Sequence, residues 1–271
     1  MLWPLVRAVG LSFYEWDGLS LGVWVGLDNY RAVFTDPGLR SPFVHSLVLL
    51  AFYSAVPIVI GMALAGLMAR GVSTGSGLRG LGFFRTVLFL PQVVTLVVVA
   101  IAWRDIYAPD GPLNELLRAL GLDALAHAWI GESDYALPAV GLVGTWVGTG
   151  LCLVLFLAGL SKVPRELYES ARLDGAGPVR EFLVVGLPAL RGEIAVALTL
   201  TIVAALRTFD LVYVMTGGGP GTATTVPSYE VYKRAFQDGE VGSAVTLALL
   251  LTAVILAATI AITRVAEGAD R

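Results

Sequence analysis

The chain has 271 residues, of which 56% are hydrophobic and only 14% charged, and its mean hydropathy is +0.78. Soluble domains carry about 25% charged residues, so an ordinary soluble globule is excluded and a bilayer is the expected solvent. A formal net charge of −3 is too small to point to nucleic acid or to a strongly acidic partner.

Residues 1–14 can form a helix of about 21 Å, short of a hydrocarbon core of about 30 Å. This opening carries Arg7 and is read as the outer part of a shortened first span. It lacks the basic start and small-residue cleavage site of a signal peptide. Charge-free apolar windows follow at residues 43–69, 86–103, 135–161 and 241–263. A further window at 192–214 is punctuated by Glu193, Arg207 and Asp210. Pro57, Pro91, Pro138 and Pro188 lie in or beside these windows and predict kinks. The pattern predicts an all-α, polytopic membrane protein: a bundle of about six spans, the first shortened, forming a single domain over residues 1–271.

The segments between spans alternate in basic content. One set (70–85, 162–191 and the tail from Arg264) holds ten Lys and Arg, and the other (17–41, 104–134 and 215–240) holds six over more residues. The positive-inside rule places the first set in the cytoplasm. The outer set is rich in acids and turn formers, such as "APDGPLN" and "TGGGPGT".

Cys152 is the only cysteine and cannot form an intrachain disulfide. His45 and His127 stand apart from other ligand-type residues, so local polar roles are expected and no metal site. No Ser/His/Asp set suggests a catalytic centre.

A loop at residues 162–190 interrupts this apolar chain, and its Glu166–Leu190 stretch reads "ELYESARLDGAGPVREFLVVGLPAL". Pro164 suits a first helical position. Arg165–Glu169 and Glu169–Arg172 have ion-pair spacing on the helix that follows. Leu167, Ser170, Ala171 and Asp174 share a small, flat face. Gly175 supplies a left-handed stop, and Pro178 restarts a second helix towards Pro188. Two readings stand here: a docking surface for another protein, or a solvated interfacial helix with internal ion pairs.

Glu169, Ser170, Ala171, Asp174, Gly175, Ala176, Phe182, Leu187 and Pro188 resemble the "EAA" loop of ABC-importer permeases, with Ser170 in place of an alanine. "WPLVRAVGLSFYEWDG", "VGLDNYRAVF", "FFRTVLFLPQVVTLVVVAIAWRDIYAPDGPLN" and "FDLVYVMTGGGPGTATTVPSYEVYKRAF" extend the resemblance over nearly the whole chain. They look like the carbohydrate-uptake branch, of maltose and glycerol-phosphate type, and its first permease of the pair. The resemblance implies six spans, with a first helix that begins further upstream than Met1. It also implies a cytoplasmic coupling helix at Glu169, Ser170, Ala171, Asp174, Gly175 and Ala176 that docks on an ATP-binding subunit.

The chain has no phosphate-binding glycine loop, because "TGGGPGT" lacks the lysine and reads as an outer turn. No cofactor is therefore expected in this chain, and ATP and Mg belong to a separate ATPase subunit. The resemblance further implies a second, different permease, an extracytoplasmic solute-binding protein and a multi-pass location in the inner membrane.

A sugar or polyol needs hydrogen-bonding and aromatic groups within the spans. Gln92, Thr95, Trp146 and Tyr213 are candidates, with Gln92 favoured beside Pro91. Trp103, Thr145, Thr149, Thr199 and Thr201 share these windows, and such threonines commonly bond to helix backbone instead. Arg207 and Asp210 default to a functional role as intramembrane ionisable residues, although their i,i+3 spacing also lets them neutralise each other. An ion-gradient-driven secondary transporter is the alternative function, but four of the five clear windows hold no ionised residue.

Overall fold

The computed structural model describes residues 2–73 and 81–269. The chain opens with α1 (Leu2–Leu11), a short helix as the composition suggested, and a small antiparallel hairpin of β1 (Tyr14–Glu15) and β2 (Val23–Trp24). Next come α2 (Asp28–Thr35) and α3 (Pro37–Leu50), then a π-helical turn at Ala51–Ala55 and α4 (Val56–Ser73). Of the expected inner loop at 70–85, residues 70–73 continue α4 and 81–85 belong to the next helix, while 74–80, with Arg79, lie outside the described residues, as does Arg271.

The window at 86–103 is not one helix. It is divided into α5 (Leu81–Val93) and α6 (Leu96–Ile106) by a break at Val94 and Thr95. Pro91 removes a helical donor just before the break, and β-branched Val93, Val94 and Thr95 do little to carry the helix across. After α7 (Pro112–Ala119), α8 (Ser133–Leu160) runs on past Pro138 without interruption. The charged segment forms α9 (Arg165–Leu173) and α10 (Pro178–Glu181). A π-helical turn at Phe182–Gly186 and the short α11 (Leu187–Ala189) follow, before α12 (Arg191–Leu206). The window at 192–214 is also broken: α12 ends at Leu206 and α13 (Asp210–Met215) starts afresh. The chain closes with α14 (Pro227–Lys233), a π-helical turn at Arg234–Asp238 and α15 (Val241–Ala269).

Pro37–Met68, Ser133–Leu160 and Val241–Val265 are long and apolar enough to cross a membrane. Gly82–Val93 with Leu96–Ile106, and Pro178–Ala189 with Arg191–Leu206, bring the number to five if each bent pair is one span.

These elements are shared between two compact units, each assembled from three separated stretches of chain. The first comprises Met1–Leu50, Leu96–Val143 and Val203–Ala258; the second comprises Ala51–Thr95, Gly144–Ile202 and Thr259–Arg271.

In the second unit Ile58, Ala65, Cys152, Leu153, Phe156, Leu160, Leu190 and Ala197 form one core. Close approach to α8 depends on missing side chains. A Cβ at Gly144 would lie 2.1 Å from the Tyr53 ring, and one at Gly150 would lie 2.2 Å from the Leu88 carbonyl oxygen. Both are far inside contact distance, so only glycine fits. Pro57 cannot donate to its helix, and Thr145 donates to the carbonyl of Phe52 in the π-helical turn just before it. Thr149 donates to Thr145 O and Thr199 to Ala195 O, while Thr201 bonds to Ala197 O and lies 2.8 Å from Ser54 Oγ. These threonines take the structural role that helical hydroxyls usually have.

The first unit is held more by polar side chains reaching loop backbone. Asn29 donates to the carbonyls of Ser12 and Tyr14. Buried Asn114 donates to Pro109 O and His127 O and accepts from Trp129 Nε1. Thr224 and Thr225 donate to Gly219 O and Gly218 O, which folds "TGGGPGT" into the expected turn. His127 stacks on Tyr135, and a ring nitrogen of His45 bonds to Thr225 O, so both histidines have local partners. Val33 and Leu39 pack with Leu247 in a small core.

Candidate coupling element and polar residues of the spans

The segment at 162–190 folds locally from its own sequence signals. Pro164 is the residue before α9, one position earlier than expected, and the helix runs from Arg165 to Leu173. Asp174 ends it and Gly175 takes φ +78°. The Gly175 N–H then bonds to Arg172 O and the Ala176 N–H to Ala171 O, both at 3.0 Å. This pair of bonds is a Schellman motif, and it needs a left-handed residue that carries no Cβ penalty. Gly177 leads into α10 with Pro178 at its first position, where a missing N–H costs nothing.

The element's charges pair differently from the spacing-based expectation. No ion pair joins Arg165 to Glu169 among the described residues, and Glu169 adds only a minor electrostatic contribution at Arg172. Instead Arg172 grips Glu181 with two bonds, Nε to Oε2 and Nη2 to Oε1, each 2.9 Å. Glu181 is only 6% exposed, although it lies nine residues along the chain. This bonding raises the Arg172 pKa. Burial, with the Glu181 charge beside it, raises that of Tyr168. Glu181 escaped the sequence reading because its partner lies across a turn. The one available signal was an acid set directly against the apolar run "FLVVG".

Glu169, Ser170 and Asp174 are exposed, Ala171 and Ala176 are half-buried, and Gly175 forms the turn. These six residues therefore form one contiguous end of α9. Leu173, 90% exposed, projects beside them. No residue of α9 is buried.

The candidate pathway residues divide between the units. In the second unit, exposed Gln92 and Thr95 sit at and after the end of α5, and Trp146 is partly exposed on α8. In the first unit, Arg207 and Asp210 lie on either side of Thr208 and Phe209, where the helix is interrupted. They form no ion pair with each other, because i,i+3 proximity requires continuous helix. Tyr213 is 43% exposed and belongs to an aromatic group: Phe209 stacks on it at 5.2 Å, and Tyr232 meets it edge-on at 5.3 Å. Phe209 and Tyr232 were not singled out from the sequence. The i,i+4 spacing of Phe209 and Tyr213 was the signal available. Among the described residues, no group of three His, Cys, Asp or Glu side chains is placed to hold a metal ion.

The diacetylchitobiose uptake system permease protein NgcF of Streptomyces coelicolor is 35% identical over 94% of this chain and 74% of its own length. The multiple sugar-binding transport system permease protein MsmF of Streptococcus mutans is 31% identical over 93% of this chain and 84% of its own. Among solved structures, a bacterial ABC transporter involved in the import of the acidic polysaccharide alginate matches with a TM-score of 0.78. It covers 98% of this chain and 90% of its own at 20% identity, which speaks for the fold. A second structure is the bacterial alginate ABC transporter in complex with an alginate pentasaccharide-bound periplasmic protein. It matches with a TM-score of 0.76 at 20% identity, covering 96% of this chain and 87% of its own. A helical membrane fold and these relatives converge with a family model that spans residues 18–270. The chain belongs to the family of binding-protein-dependent transport system inner membrane components.

Proposed function

We propose that this chain pairs with a second permease to form the membrane pathway of an ATP-driven importer for a sugar or related polyol. Residues 162–190 pass the work of a separate ATP-binding subunit into the helices. The carrying observation is the end of α9, where exposed Glu169, Ser170 and Asp174 surround a left-handed turn at Gly175. An unburied helix with a small, preformed end suits insertion into a groove on another protein. Its cytoplasmic side follows from the arginine bias of its loop set.

The sugar class is supported by the names of NgcF and MsmF. An extracytoplasmic binding protein delivering substrate to the outer loops is supported by the family description and by the periplasmic protein bound in the alginate transporter. ATP and Mg are assigned to the partner subunit, since this chain has no phosphate-binding lysine loop. Gln92, Thr95, Trp146, Arg207, Asp210 and Tyr213 are proposed to line the pathway. The Phe209, Tyr213 and Tyr232 rings offer flat apolar faces of the kind that pack on sugar rings.

The test is a pull-down from the native membrane in detergent, for the wild type and Gly175→Val, with the partners identified by mass spectrometry. Wild type should bring down a second permease and an ATP-binding subunit. Gly175→Val should lose at least tenfold of the ATP-binding subunit, because a β-branched residue does not tolerate φ +78°. Recovery of the chain alone or as a homodimer would favour an ion-gradient-driven transporter instead.

A further inference from the structure

α9 has no buried residue, and the connection at Asp174–Gly177 contains two glycines. A helix held by such a connection alone would swing when pushed, and a push would not reach the core. The packing of α9 on the turn at Phe182–Gly186 and a two-pronged side-chain contact oppose this. The Arg172 guanidinium meets both carboxylate oxygens of Glu181, which is buried at the end of α10. A two-pronged bond between planar groups fixes orientation as well as distance. Breaking it would leave a buried carboxylate without its counter-charge, so intermediate geometries are disfavoured. The residue after Glu181 is Phe182, which packs against the second unit's core. Its ring lies so close to Gly66 of α4 and to Gly186 that a Cβ at either would fall within about 3.0 Å of it.

We infer that Arg172 and Glu181 are positioning residues whose ion pair makes α9 and α10 a single rigid strut, carrying movement of α9 through Phe182 into α4 and α8. The inference rests on the importer reading above and adds the residues that transmit the motion.

The test uses the intact complex purified from its native membrane and placed in vesicles. ATP hydrolysis is measured with and without the extracytoplasmic binding protein purified alongside it. Arg172→Ala and Glu181→Gln should each retain the ATP-binding subunit and hydrolyse ATP within twofold of the unstimulated wild-type rate. Stimulation by the binding protein should fall at least fivefold in both. The double variant should be no worse than the worse single variant, since one contact is removed only once. Arg172→Lys, which keeps the charge but loses the fork, should recover part of the stimulation. Thr252→Val removes an exposed hydroxyl bond to Ala248 O within α15, outside residues 162–190, and should leave stimulation intact.

The inference is overturned if both single variants keep full stimulation, if both lose the ATP-binding subunit, or if their effects add. An equal loss in Thr252→Val also overturns it. A wild-type preparation with no ATP-hydrolysing partner would instead sink the importer reading, and the two failures are therefore distinct.

Discussion

The two units solve the same problem, satisfying backbone and filling space, by different means. The second unit is mostly packed helix, so most of its backbone bonds are internal to helices and the limiting quantity is room. Gly144 and Gly150 supply that room, and helical threonines tidy the carbonyls that Pro57 and the π-helical turn leave over. The first unit contains the long irregular loops, whose backbone has no helix to bond to. Asn29, Asn114, Thr224 and Thr225 take that role through side chains. Just before α15, a network of side chains alone links buried Glu230 of α14 to Arg234, which also reaches Glu240 and Ser243. The lesson is that loop backbone draws on polar side chains for bonds that helical backbone makes for itself.

The comparison is broken most directly at Gly144. Leucine there would drive a side chain into Tyr53, and overpacking on this scale should cost on the order of 4 kcal/mol or prevent folding. Size-exclusion profiles in detergent should show aggregate in place of a folded peak. A well-behaved Gly144→Leu protein would end the packing account of the second unit.

Asn114→Ala tests the first unit. It strips hydrogen bonds from Pro109 O, His127 O and Trp129 Nε1 together, and should cost about 2 kcal/mol. A fall in detergent melting temperature, with no change in helical content by circular dichroism, is the expected reading.

Thr145→Val sharpens the contrast, since it removes one hydroxyl from an otherwise helix-packed region. The loss should be about 1 kcal/mol, the usual size for a hydroxyl between membrane helices. A cost equal to that of Asn114→Ala would erase the distinction between the units.

The smallest effect belongs to Asp17, whose Oδ1 accepts from the Ser20 and Leu19 N–H groups and the Ser20 hydroxyl in the outer hairpin loop. The Ser20 bond is the largest cause of its lowered pKa, and Leu19 comes next. A carboxyl with a depressed folded pKa adds stability that is present above its unfolded value and drains away as pH falls through the folded one. Acidification below the ordinary carboxylate range should therefore loosen this loop first. Faster amide exchange at Leu19 and Ser20 in acid should follow, and Asp17→Asn should abolish that pH dependence.

What could be read from the sequence followed from how local each cause is. Gly175 and Pro178 announce their conformations by residue type alone, and the apolar windows of α8 and α15 are long enough to stand without context. The breaks at Val94–Thr95 and Arg207–Phe209 were missed because composition is blind to two or three non-helical residues inside an apolar run. The Arg172–Glu181 pair was missed because helical spacing rules end at a turn. Asn114 gave no signal, since its principal acceptors are carbonyls that every residue carries.

The interleaving of the units also sets an order of events during synthesis. A ribosome delivers Ser12 and Val33 early, yet Thr246, which donates to the Ser12 carbonyl, and Leu247, which packs on Val33, emerge more than 200 residues later. At roughly 5–20 residues per second, the earliest segments wait at least ten seconds or so for partners that do not yet exist. Their persistence in that interval falls to the lipid and to insertion machinery, and a nascent chain halted before α15 would hold every residue of Met1–Leu50 yet be unable to finish the unit they begin.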